Sequence, residues 1–215
     1  MKIAISSVRK FSSYTLPVII PSLLQSVETK DIFIFEGGYA ERWWEIRKGI
    51  THTRVAHNSF DYTALIDIVE NEIESDYWFL LHDTCKAGPN FGKLVNDIPA
   101  GEPDVVCMLN SDPGTMNICA YKYSYLLSKK EEILELKNTD YEDLDSAKRI
   151  ATKAENTLQK GYALYHPELF EVNLNERPPS IYKEDGVNRN ERYFRNLDIT
   201  KYQANYGNSQ FVLDL

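Results

Sequence analysis

A chain of 215 residues with 32 acidic against 24 basic side chains, a net charge of -8, lacks the positive surface that a general grip on nucleic acid requires. No apolar stretch approaches the roughly 20 residues of a membrane span, and the opening Met1 to Ile5 is too short for a signal peptide. Three cysteines, Cys85, Cys107 and Cys119, cannot all pair with one another and form no Cys-x-x-Cys element, which argues against a disulfide scaffold or a cysteine zinc site and for a reducing, cytoplasmic setting.

Lys2 to Ser6 is expected to form a first strand, followed by a polar loop with Arg9 and Lys10. Leu16 to Val27 places Val18, Ile19, Leu23, Leu24 and Val27 at helical spacing, with Pro21 expected in the first turns or at a kink. Asp31 to Phe35 is β-branched and aromatic and closes in Glu36-Gly37-Gly38, so strand, helix and strand make a parallel unit. Trp43 and Trp44 are expected to divide between core and surface, since adjacent indoles cannot share one helix side.

Further on, Thr51 to His57 reads as a third strand and Asp61 to Ile73 as a helix, with Leu65, Ile66, Ile68, Val69 and Ile73 on its apolar face. Tyr77 to Leu81 is a buried strand that ends abruptly in the polar turn His82-Asp83-Thr84. Asp104 to Leu109 and Asn117 to Tyr121 are two more strands, joined through a turn that contains Asp112, and Tyr123 to Glu135 and Leu144 to Leu158 are expected helices. After Pro178-Pro179 the tail is polar and rich in Asn, Arg and Tyr, the pattern of a wrapped arm or a poorly ordered end.

The phosphate-cradling Gly-x-x-x-x-Gly-Lys-Ser/Thr and Gly-x-Gly-x-x-Gly loops are missing, as are Gly-x-Ser-x-Gly and His-Glu-x-x-His. What remains is a row of polar residues at successive strand ends: Ser6, Ser7 and Arg9, then Glu36, then Asn58 and Asp61, then His82 and Asp83. In a parallel sheet these ends lie side by side, where a nucleotide would find acceptors at Glu36 and Asp61 and a cation could sit between Asp83 and a diphosphate. The bland alternatives are that Glu36 closes a glycine turn, that His82 is a satisfied structural histidine, and that Asp61 is an ordinary first-turn carboxylate.

From Ile3 to Arg9, through Pro21 to Ser26, Phe35 to Gly38 and Asn58 to Ala64, to Phe79-Leu80-Leu81-His82-Asp83-Thr84, the chain resembles the nucleotide-sugar-binding half of GT-A glycosyltransferases, including compact viral domains of about this length. The resemblance covers about residues 1 to 125, leaves 126 to 215 as acceptor side and C-terminal arm of a single domain, and would allow a longer natural polypeptide. It implies an α/β, Rossmann-like fold with a mixed, mostly parallel central sheet and flanking helices. By the same resemblance Asp83 is the ligand of Mn2+ or Mg2+, and Ser6, Ser7, Arg9, Glu36, Asp61 and His82 line the donor site. His82-Asp83-Thr84 stands where the family has Asp-x-Asp, which leaves one sure carboxylate.

The implied reaction carries a sugar from a nucleoside-diphosphate donor, with uridine diphosphate the favoured carrier, to a hydroxyl of a glycan acceptor. Its general base would come from Asp112, Glu142 or Asp143, with Glu155 a further candidate; Tyr141-Glu142-Asp143 is equally readable as a charged helix start. Arg9, Arg54, Lys86, Arg192, Arg195 and Lys201 could neutralise the leaving diphosphate, the segment from 192 to 201 acting as a lid or packing on a surface, and His166 is an extra metal-ligand candidate. Two competing readings stay open: a degenerate module that binds a carbohydrate or a partner, and a nucleotidyltransferase, which the missing glycines after the first strand weaken.

Overall fold

The computed structural model describes residues 1–99, 102–107, 118–140, 181–182, 188–194 and 197–203. In chain order the elements are β1 (Lys2–Val8), α1 (Ser12–Leu23), β2 (Ile32–Gly37), β3 (Trp43–Arg47), β4 (Ile50–Val55), α2 (Thr63–Glu70), β5 (Tyr77–His82), β6 (Cys85–Ala87) and α3 (Phe91–Asn96). These are followed by β7 (Val105–Cys107), β8 (Cys119–Lys122), α4 (Tyr123–Ser128), α5 (Lys130–Leu134), β9 (Ile181–Tyr182), β10 (Asn188–Phe194) and β11 (Ile199–Gln203). The expected helix over 144–158 lies outside the described residues.

Seven strands form one sheet in the order β3-β4-β2-β1-β5-β8-β7, and four form a second in the order β6-β11-β10-β9. The middle of the larger sheet, β4-β2-β1-β5, is parallel, while β3, β8 and β7 join antiparallel at its flanks. The expected α/β class with a mixed central sheet and flanking helices is therefore present, but the sheet is partly rather than mostly parallel, because its flanking strands all join antiparallel.

Alternation along the strands divides the core between the two faces of this sheet. Ile3 and Ile5 of β1 and Phe79 and Leu81 of β5 join Ile19, Leu23, Phe91 and Ile199 on one side. Ala4, Trp78 and Leu80 join Leu65, Ile66, Val69 and Leu126 on the other. Strands buried on both faces read as continuous apolar runs, which is why Tyr77–His82 stands out in the sequence.

Several expectations need correction. The first helix starts at Ser12, four residues ahead of Leu16, and holds both Pro17 and Pro21 in its interior, so Pro21 is not a first-turn proline. No side chain caps its first turn, and Ser12 Oγ donates to the Arg9 carbonyl just ahead of it. The helix over 123–135 is broken at Lys129 into α4 and α5.

Trp43 and Trp44 lie on a strand, not a helix, so their indoles point to opposite faces, and at the sheet margin both remain exposed, at 44% and 57%. The polar tail contributes strands: β11 pairs antiparallel with β6, Ile199 opposite Ala87 and Lys201 opposite Cys85. Among the described residues, no helix is long and apolar enough to cross a membrane.

Candidate functional site

The chain proceeds from β1 outward to β2 and β4, then returns to place β5 on the other side of β1. In an open α/β sheet such a reversal leaves a crevice beyond the carboxyl ends of the two diverging strands. Here those ends are Ser6-Ser7 and His82-Asp83, with Ser6 in register with His82.

Asp83 is held from three directions. Its backbone N–H donates to the Ser6 carbonyl at 3.1 Å. Its Oδ2 accepts hydrogen bonds from Ser7 Oγ and from Thr15 Oγ1, both at 2.7 Å. Its other oxygen, Oδ1, enters no hydrogen bond among the described residues, so the carboxylate is oriented through one oxygen and leaves the other available.

Burial pushes the Asp83 carboxyl above its ordinary range, while the Ser7 and Thr15 hydroxyls and the charge of Lys201 pull it back and Glu36 adds to the rise. Thr15 escapes sequence reading because an isolated threonine in a helix has no motif. Its role follows only from the packing of α1, which brings Thr15 to the residue after β5.

The Ser6 hydroxyl braces the backbone of the neighbouring turn: it donates to the Asp61 carbonyl at 2.9 Å and accepts from the Ala64 N–H at 3.1 Å. It thereby fixes the 3-10 turn Phe60–Tyr62 ahead of α2. That turn brings Asp61 to the crevice, its Oδ1 3.4 Å from Nε2 of the buried His82. His82 is neutral, since burial, aided by the Lys201 charge, lowers its basicity well below the ordinary value, and among the described residues Nε2 has no hydrogen-bond partner.

Beyond β2 and β4 a second group adjoins the crevice. Glu36 accepts a hydrogen bond from Tyr39 Oη at 2.8 Å. The Tyr39 ring carries the Arg9 guanidinium at 5.0 Å and that of Arg54 at 4.9 Å, and Arg54 also lies 5.1 Å from the Trp43 ring. Gly38 makes the turn possible with φ +97°, and a side chain at Gly37 would press within 3.0 Å of the His57 carbonyl.

From the second sheet, β11 delivers Lys201, whose ammonium donates to Thr84 Oγ1. Lys201 is only 7% exposed. The structure thus brings Ser6, Ser7, Asp61, His82, Asp83 and Lys201 around one corner, with Arg9 and Glu36 on the adjoining lip. Asp112, Glu142, Asp143, Glu155, His166 and Arg195 lie outside the described residues. Lys86 is exposed on β6.

Two points bear on chemistry. Among the described residues, no group of three His, Cys, Asp or Glu side chains could hold a metal ion. One carboxylate oxygen still suits Mg2+ or Mn2+, which commonly take one or two protein carboxylates and complete their shell with phosphate oxygens and water. The Cys85 thiol next to the corner is pushed up to about 12 by burial, so it is no nucleophile.

His57, two residues beyond β4, is buried, contacts Ser59 Oγ at 3.0 Å through Nδ1, and leaves Nε2 without a hydrogen-bond partner among the described residues. Burial lowers its pKa from the ordinary 6.5 to about 4. The unfolded chain therefore binds more protons between those values, and stability falls as pH drops through that window, by up to about 3 kcal/mol. Urea midpoints at pH 7.5 and pH 4.5 will show this fall, and His57→Gln will flatten it by the His57 share.

A scan against protein-family models finds no matching family, and searches of the curated proteins and of the solved structures return no match. Fold and site define the protein as an α/β protein whose crevice, at the reversal of a parallel sheet, presents one oriented carboxylate beside a buried cation.

Proposed function

We propose that this chain is a GT-A-type glycosyltransferase that moves a sugar from a nucleoside-diphosphate donor, UDP-linked by preference, to a hydroxyl of a glycan acceptor in the cytoplasm. The observation that carries the reading is Asp83: a carboxylate at the strand reversal, locked through Oδ2 by Ser7 and Thr15, with Oδ1 left for a ligand. A sheet end of this kind is where open α/β folds hold nucleotides.

In this reading Asp83 Oδ1 holds Mn2+ or Mg2+, which when bound supplies charge neutralisation for the leaving diphosphate. Ser7 and Thr15 keep the carboxylate aimed, so no reorientation is needed as charge develops. Glu36 and Asp61 face the nucleoside. Neutral His82 adds no charge, and its Nε2 serves as a hydrogen-bonding atom toward ribose or phosphate. The general base remains with Asp112, Glu142 or Asp143.

Calorimetric titration of UDP tests the proposal. Binding is expected to strengthen at least tenfold when Mn2+ is added. Absence of UDP binding with or without Mn2+ would overturn the donor assignment, and binding that ignores Mn2+ would favour the non-catalytic module, which the single carboxylate also fits.

A further inference from the structure

We infer that β3 is a dimerisation edge: two copies of this chain pair antiparallel through Glu45-Ile46-Arg47 and join their seven-stranded sheets across a two-fold axis at Ile46. The inference is independent of the nucleotide-sugar reading.

β3 is the outermost strand of its sheet, and among the described residues no strand pairs with its outer edge. It also gathers exposed apolar surface. Of the six large hydrophobic side chains left exposed among those described, three belong to it: Trp43, Trp44 and Ile46, the last at 64%. Edge strands are ordinarily blunted by lysine, proline or a bulge, and this strand carries none of them. Its two charges, Glu45 and Arg47, are opposite in sign, so they exclude a second copy only in the wrong register.

The hairpin turn fixes which backbone groups face outward. Around Lys48-Gly49, Arg47 and Ile50 form the hydrogen-bonded pair that closes a two-residue turn. Bonding alternates along an antiparallel pair, so Glu45 and Trp43 also direct their backbone groups toward β4, while Trp44 and Ile46 present theirs to the open edge. The strand is held at both ends without a partner: Arg42 forks onto Asp67 just ahead of it, and the tip at Gly49 lies against Thr29. A pre-set edge loses little freedom on pairing.

Centred on Ile46, the pairing sets Ile46 opposite its own copy, where the two exchange backbone hydrogen bonds, and sets Glu45 opposite Arg47 of the second copy on both sides of the axis. Within one chain Glu45 already pairs with Arg47. The four charges therefore alternate in sign on one face of the joined sheet, while Trp44 and Ile46 of both copies adjoin on the other. Centring on Glu45 instead would bring two carboxylates face to face, which is destabilising. Charge thus selects the register that also clusters the exposed apolar side chains.

The test is analytical sedimentation of the full chain at rising concentration, for the unsubstituted protein, Arg47→Glu and the exchanged pair Glu45→Arg/Arg47→Glu. The unsubstituted protein is expected to pass from the mass of one chain to that of two. Arg47→Glu places glutamates opposite one another and should weaken association by about tenfold or more, and the exchanged pair restores opposite charges across the axis and should recover most of the loss. Ile46→Cys reads the same contact without altering a charge: it should give an oxidant-dependent covalent dimer that the unsubstituted protein does not, because a residue on the axis meets its own copy. A single-chain mass at every concentration, a dimer indifferent to Arg47→Glu, an exchanged pair no better than Arg47→Glu alone, or no cross-link through Ile46→Cys overturns the inference.

Discussion

On the proposed function, Asp83→Ala is expected to abolish Mn2+-dependent UDP binding, with a fall in affinity of at least a hundredfold, while the protein remains folded. The substitution removes the oxygen proposed to hold the cation and leaves the Ser7 and Thr15 hydroxyls without their acceptor. Hydrogen bonds to a charged group contribute about 1.5–3 kcal/mol each, so the alanine protein should also lose stability.

Asp83→Asn separates the two effects. Its amide oxygen can still accept from Ser7 and Thr15, whereas the charge that would hold a cation is gone. Burial raises the Asp83 carboxyl above its ordinary range, so the folded state binds the proton more tightly than the unfolded state. Its contribution therefore declines as pH rises from the unfolded carboxylate range through the folded value, and the neutral asparagine escapes that decline. At pH 8 the asparagine protein should melt no lower than the parent yet bind UDP as poorly as the alanine protein. Retention of Mn2+-dependent binding in either variant would remove Asp83 from the site.

Asp67→Ala is expected to be among the most destabilising single changes in α2, costing about 2–3 kcal/mol and lowering Tm by roughly 5–10 °C. The Asp67 side chain is 1% exposed and accepts from Arg42 Nε at 2.8 Å and Arg42 Nη2 at 2.9 Å, a bidentate fork, and from Asn71 Nδ2 at 3.0 Å. Burial nonetheless keeps its carboxyl above the ordinary range, outweighing Arg42.

Arg42 is one-third exposed, which lets water recover part of the loss and holds the cost below that of a fully buried pair. Because Arg42 immediately precedes β3, the damage should spread to the β3–β4 hairpin and lower protection of its amides against hydrogen exchange. A double cycle with Arg42→Met will show coupling above about 1 kcal/mol; additive effects would mean the fork contributes nothing as a pair.

The parallel centre of the fold is legible in the sequence because its strands are buried on both faces and so appear as unbroken apolar runs. The crevice residues are legible for a related reason: Ser6, Ser7, His82 and Asp83 interrupt such runs where the sheet ends. β3 is harder, because Trp43 to Arg47 is mostly exposed at a sheet margin and its alternation tracks no buried face. A signal does exist in Lys48-Gly49, with φ 51° and 83°, the two positive values that a two-residue hairpin turn needs. β6 has three residues, too few for any periodicity. Thr15 and Lys201 reach the Asp83 corner through tertiary packing alone, and no local pattern encodes a meeting of residues so distant in the chain.

That distance has a consequence during synthesis. Thr84 and Lys201 are 117 positions apart, and β6 has no strand partner in the second sheet until β11 arrives. At typical translation rates the interval between their emergence from the ribosome is about 6–23 s. For that time the parallel sheet can assemble with its carboxylate in place while the corner still lacks its lysine, so the central sheet can be complete well before the corner beside it is.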